Sequence, residues 1–342
     1  MNRLTLFITL FVSASVCAQS DSARYYHELG KKARDERRFM VADKYFTQAL
    51  SFNNNDEQVR MDQAAVLLEM RKYSQARMAY GYILEKNPQH KPALEQTAIL
   101  CFNLRQWMEA EKYGKQCIEQ KIGTGMHYRV AKSLYEQENY AEAAKFLEVA
   151  NKEDPKNGEI PWLMANIWLD MNNAKQGIEM YEIAISLDSA RADWHYDLGT
   201  VYVQVNDNKN AVKHFEKALA LGMGTDLNSL TNIGNAYLAN QQYDKGMEIM
   251  NKVLAKKPMD KTLYNDVAYA YYNGKRYKDA IEWWDRILTI DKGDAKALYM
   301  IGIAYQKDGN KEKGSKLCDV AIQMDPTLAS LRKEQKIEGM GL

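Results

Sequence analysis

The sequence predicts an all-α protein built as a right-handed α-solenoid of about nine helix-turn-helix units with a C-terminal capping helix. Three observations carry this. Small residues recur at Gly30, Ala64, Ala98, Ala131, Ala165, Gly199, Gly234, Ala268 and Gly302, with gaps of 34, 34, 33, 34, 34, 35, 34 and 34. A second small residue stands twelve later each time, at Ala42, Ala76, Ala110, Ala143, Gly177, Ala211, Gly246, Ala280 and Gly314. Small side chains in such register let the two helices of a hairpin approach closely. Proline, poorly tolerated inside a helix, keeps out of every predicted helix interior. Pro88, Pro155, Pro258 and Pro326 fall at unit ends, and Pro92 and Pro161 fall in the first turn of a helix, which accounts for all six.

Each element follows from local pattern. In Lys261–Asp294, the residues Tyr264, Val267, Ala268 and Tyr271 share one face of a first helix, and Asn273-Gly274 breaks it. Tyr277, Ala280, Trp284 and Ile287 repeat the periodicity in a second helix, and Asp291-Lys292-Gly293-Asp294 ends the unit. One such hairpin cannot bury its apolar stripes alone, so it must stack on its like. The period places units at 23–56, 57–90, 91–123, 124–157, 158–191, 192–226, 227–260, 261–294 and 295–328. The third is the weakest, with Gly114 in place of an aromatic. Glycine pairs at 123/125 and 222/224 divide the array into three blocks of three, either as joints or simply as helix ends. Residues 329–342 read as a capping helix with a charged outer face and a tail.

The pattern resembles the tetratricopeptide repeat (TPR) family. It stands in the first unit as Tyr26, Leu29, Gly30, Ala42, Phe46 and Ala49, and in the sixth as Leu198, Gly199, Tyr202, Ala211, Phe215 and Ala218. The resemblance covers residues 23–328 and implies a superhelix whose first helices line a concave face that holds ligands. The family's groove positions are then Tyr128, Lys132 and Tyr135; Trp162, Asn166 and Asp170; Tyr196, Asp197 and Thr200; Thr231, Asn232 and Asn235; Asn265, Asp266, Tyr269 and Tyr272; and Tyr299 with Ile303. The family's carboxylate clamp needs Lys at the fifth position of a unit, and no unit has one there. Asp170, Asp193, Asp197 and Asp266 make the middle of the expected groove acidic, which favours a neutral or basic peptide.

The function expected is a non-catalytic protein-interaction scaffold of the cell envelope, with a protein or peptide partner and no cofactor or metal. The alternative is a carbohydrate-binding module that uses the 22 tyrosines, which outnumber eight Phe, for ring stacking. Lys and Arg total 46 against 45 for Asp and Glu, so no basic excess points to nucleic acid. Phosphate-loop, nucleophile-elbow and zinc-protease motifs are absent from the sequence. Five histidines, His27, His90, His127, His195 and His214, are scattered along the chain and expected to face solvent. Trp283-Trp284 is read as packing rather than as a site.

The N-terminus, MNRLTLFITLFVSASVCAQS, reads as a secretory signal peptide over 1–18, with Arg3, an apolar run from Leu4 to Val12 and cleavage after Ala18; residues 19–22 form a linker. The run falls short of the roughly 20 residues of a membrane span. Lipidation at Cys17 is disfavoured because Ala14-Ser15-Val16 lacks the usual leucine. Export follows as the expectation, to a periplasm or beyond. Cys101, Cys117 and Cys318 remain, an odd count that suits buried thiols better than a disulfide framework, with a Cys101–Cys117 bridge left open.

Overall fold

The computed structural model describes residues 20–331. The predicted signal peptide and most of the predicted capping helix and tail lie outside them. The chain divides into two compact units, one up to Leu187 and one from Asp188. Every ordered element among the described residues is helical.

The first unit holds five hairpins: α1 (20–35) with α2 (Phe39–Phe52), α3 (Glu57–Glu69) with α4 (Tyr73–Lys86), α5 (Lys91–Asn103) with α6 (Trp107–Glu119), α7 (Met126–Tyr135) with α8 (Tyr140–Glu153), and α9 (Glu159–Asp170) with α10 (Ala174–Leu187). The second holds four: α11 (Ala192–Gln204) with α12 (Asn208–Ala220), α13 (Leu227–Ala239) with α14 (Tyr243–Lys256), α15 (Lys261–Asn273) with α16 (Tyr277–Ile290), and α17 (Ala295–Lys307) with α18 (Lys311–Met324). Both are stacks of hairpins with the predicted pairing.

Three local devices recur. The turn inside each hairpin puts its fifteenth residue in the left-handed region: Arg37, Arg71, Arg105, Glu138, Asn172, Asn206, Gln241, Lys275 and Gly309, with φ from 56° to 97°. Around Arg37, the Arg38 N–H reaches the Ala33 carbonyl at 2.8 Å and the Arg37 N–H reaches that of Arg34 at 2.8 Å. This Schellman pairing satisfies carbonyls that the helix end would leave orphaned. At the start of first helices, Asp56, Asp226 and Asp294 accept from N–H groups three residues on, at 3.1, 2.7 and 3.0 Å. Such caps contribute about 1 kcal/mol each. Third, residues nineteen apart meet across a hairpin, as in Tyr196 with Phe215 (ring centroids 5.3 Å) and Asn265 with Trp284 (3.0 Å).

The small residues are where the packing needs them. A Cβ on Gly199 would fall 2.7 Å from the buried Phe215 ring, and one on Gly30 would meet Phe46 just as closely. Where the third unit lacks its aromatic, Val130 of α7 fills the space, its Cγ2 lying 2.6 Å from where a Gly114 Cβ would be. Gly274 works differently from the sequence reading: its φ is an ordinary −78°, and the left-handed residue is Lys275. A Cβ at 274 would land on the Tyr243 hydroxyl, so glycine is required there for close approach.

A helix ends at or just before each glycine pair. The N–H of Ile122 bonds the Cys117 carbonyl at 3.0 Å with Lys121 left-handed, and Met223 bonds Ala218 at 3.1 Å with Gly222 left-handed. The compact units part elsewhere, after Leu187 in a joint free of glycine, and not into three blocks. Beyond α18 a single 3-10 turn, Pro326–Leu328, brings Leu328 and Leu331 onto a cluster with Ala295, Tyr299 and Ile303. Trp283 and Trp284 are both buried in the second unit's core. Cys101, Cys117 and Cys318 are buried free thiols.

Candidate partner-binding faces

In the first unit, the candidate face belongs to α7 and α9. Tyr128, Lys132 and Tyr135 lie four and three apart, and Trp162, Asn166 and Asp170 four apart, so each set shares one side of its helix. The two sets meet at Lys132. Its ammonium lies 4.8 Å from the Tyr135 ring centroid, 5.2 Å from that of Trp162, and 2.7 Å from Glu136 Oε1. Burial, reinforced by the neighbouring Asp170 carboxylate, holds the Tyr135 phenol well above its ordinary range. Tyr140 packs beside it at 5.7 Å.

Asn166 is less available than its position suggests. Its Nδ2 donates to the Trp162 carbonyl at 3.1 Å, and its Oδ1 accepts from Tyr181 at 2.8 Å. Tyr181 is the buried second-helix aromatic of this hairpin, and a buried phenol needs such a partner. Tyr128 lines a separate cleft of about 740 Å³ over the 121–125 loop, shared with Phe102, His127, Arg129 and Glu153.

The second unit's face runs along α11, α13 and α15. Asn232 Nδ2 donates to the Tyr196 hydroxyl at 2.9 Å, and Asn235 Nδ2 to Asp266 Oδ2 at 3.3 Å. Burial raises the Asp266 carboxyl above the usual range despite the Asn235 bond. Thr200 and Thr231 turn their hydroxyls back onto carbonyls four residues earlier, at 3.1 and 2.7 Å. Asn265 accepts from the Trp284 indole, while Tyr269 meets Trp284 edge-on and Tyr272 packs on both Trp284 and Tyr277. Asp197 is half-buried. Nearby, a hollow of about 330 Å³ is lined by Asn206, Asn208, Asn235, Gln241 and Asn273 over Ala236, Ala239 and Ala270.

Two expectations need correction. Tyr299 and Ile303 are 1% and 4% exposed, because the turn after α18 lays Leu328 over them; a partner cannot reach them there. The expected acidic stretch is also weaker than its four aspartates imply. Asp170 lies in the first unit and the others in the second. The Arg191 guanidinium grips Asp193 twice, at 3.0 and 2.7 Å, and holds its carboxyl below the usual range.

The histidines are not solvent-facing. His27 lies 2.7 Å from Asp62, His90 caps α5 through a bond from the Ala93 N–H, and His127 lies 2.8 Å from Glu153. His195 and His214 share one hairpin, their Nδ1 atoms 3.1 Å apart and rings stacked at 5.3 Å. Burial lowers both, His214 to about 4, with the neighbouring His195 and Lys213 adding to the effect. The signal was present in the sequence: these residues are nineteen apart, the spacing that joins the two helices of a hairpin. Among the described residues, no cluster of three or more His, Cys, Asp or Glu could hold a metal ion, and no helix is long and apolar enough to cross a membrane.

Models of the tetratricopeptide repeat match residues 134–196, 192–221 and 231–295. No curated protein matches the chain. Among solved structures, it is similar to YrrB, a TPR protein with an unusual peptide-binding site, at 24% identity and TM-score 0.41 over 56% of this chain and 99% of that one. It is similar also to the C-terminal part of a TPR repeat-containing protein from Cytophaga hutchinsonii, at 20% identity and TM-score 0.49, covering 72% and 98%. PilW, a widely conserved type IV pilus biogenesis factor, matches at 19% identity and TM-score 0.41, covering 58% and 92%.

Proposed function

We propose that this chain, which belongs to the tetratricopeptide repeat family, is a non-catalytic scaffold that holds a partner protein segment along its first-helix faces, and that it works in the cell envelope after export. The observation that carries the binding reading is the α7–α9 face. There two half-buried aromatic rings and a carboxylate converge on one ammonium within one helix-to-helix span. Tyr and Trp supply contact area at low entropic cost, and interfaces favour such anchors. In the second unit, the amide-lined hollow beside Asn235 suits peptide backbone, since a carboxamide both donates and accepts. A sugar-binding reading has less support, because Tyr135 and Tyr272 already pack against Tyr140 and Tyr277. The envelope location rests on the signal-like residues 1–18.

Affinity capture with the mature chain tests the reading. Trp162→Ala with Tyr196→Ala should lose partners that the wild type retains, whereas Met108→Ala, on an exposed second-helix position, should keep them. Equal capture by all three proteins would contradict the assignment. Mass spectrometry of the exported protein should find its N-terminus at Gln19.

A further inference from the structure

Lys132 stands out on the α7–α9 face because its surroundings are those of a cation receptor. Its side chain is only 18% exposed. The ammonium lies within reach of two aromatic faces, Tyr135 and Trp162, at 4.8 and 5.2 Å, and bonds the Glu136 carboxylate at 2.7 Å. Two π-faces and a carboxylate around one charge is the chemistry that selects a cationic side chain, and the attraction grows as water is excluded.

We infer that this cage is the receptor for a lysine side chain of the partner segment, and that Lys132 occupies it in the free protein as an internal competitor. This rests on the first-helix face being the binding surface. Exchange of one ammonium for another leaves the cage with the same charge and the same contacts, so Glu136 keeps a cationic partner. The displaced Lys132 has a flexible four-carbon stem that can carry its head out to water. Lys132 therefore weakens binding of a basic segment. Its removal should strengthen it, which is opposite to the usual result of trimming an interface residue.

The test uses two acetylated, amidated Gly/Ser octapeptides, one with a central lysine and one with norleucine in its place. Binding to the isotope-labelled full chain is followed at the Trp162 indole N–H by NMR. Lys132→Met should bind the lysine peptide at least fivefold more tightly than the wild type, and the norleucine peptide no better. Lys132→Gln should repeat the gain, and Tyr135→Leu in the Lys132→Met background should remove it. Unshifted indole signals of the other tryptophans in the absence of peptide check that each variant has kept its fold. Equal or weaker binding by both Lys132 variants, or no binding of the lysine peptide to any of these proteins, overturns the inference. If that happens while Trp162→Ala with Tyr196→Ala still loses partner capture, the first-helix reading stands without it; if capture ignores that double substitution, the reading itself has failed.

Discussion

Alanine in place of Gly302 and alanine in place of Gly81 should change stability in opposite directions, although both glycines lie within helices. At 302 the new Cβ would sit 2.7 Å from Cys318 Sγ, 2.8 Å from the Gly314 carbonyl oxygen and 3.0 Å from the Cys318 nitrogen. Carbon contacts are optimal near 3.5–4.0 Å, so α17 and α18 would have to separate by about 0.7–1 Å. Two of the three obstructing atoms are backbone, which cannot swing aside. Overpacking of this kind costs about 1–3 kcal/mol, while Gly-to-Ala in a helix recovers about 1 kcal/mol. The net expectation is a loss of about 1 kcal/mol, with up to 2 if the helices resist parting. At 81 no atom lies within 4 Å, so only the propensity gain remains, about 0.5–1 kcal/mol. Urea unfolding followed by far-UV circular dichroism measures both. Hydrogen exchange on α17 and α18 localises the first, because a repeat array opens in pieces. A Gly302→Ala protein as stable as the wild type would refute the argument that the small residues set the helix spacing.

Two more outcomes rest on the same geometry. Arg71→Gly and Glu138→Gly should each stabilise by about 0.5–1 kcal/mol, since φ values of 56° and 60° penalise a Cβ, whereas Asn172→Gly should gain less because asparagine tolerates that region; thermal unfolding of the three variants checks the order. The His195–His214 pair should make stability fall in mild acid. Because His214 is depressed from 6.5 to about 4, the unfolded chain takes up its proton first, so stability is whole above pH 6.5 and declines down to about pH 4. The loss should amount to about 3 kcal/mol and should shrink in His214→Phe, measured by unfolding across that range.

The hairpins and the packing role of Trp283-Trp284 were legible because they are periodic, and periodicity in sequence is periodicity on a helix face. The left-handed residue in each hairpin was not, since only one of nine, Gly309, is a glycine; the other eight are residues that hide the strain. The candidate face was only partly legible. Position within a unit identified Lys132, Tyr135, Trp162 and Asp170 as neighbours on adjacent first helices. It could not show that the fifth position of a unit leans toward its own second helix, which commits Asn265 to Trp284 and half-buries Tyr196 against Phe215. Tyr299 was misplaced for a different reason: it is covered by an aperiodic turn after the last repeat, and a repeat pattern carries no information about segments beyond its own final unit.

The central claim is that a partner lies along the first helices. A photo-crosslinking residue placed singly at 135, 232, 40 or 108 tests it most directly, the last two being exposed positions on second helices, where Met40 and Met108 are 71% and 74% exposed. Crosslinks to one partner from 135 or 232, and none from 40 or 108, are the predicted result. The reverse pattern would place the partner on the second helices and contradict the account.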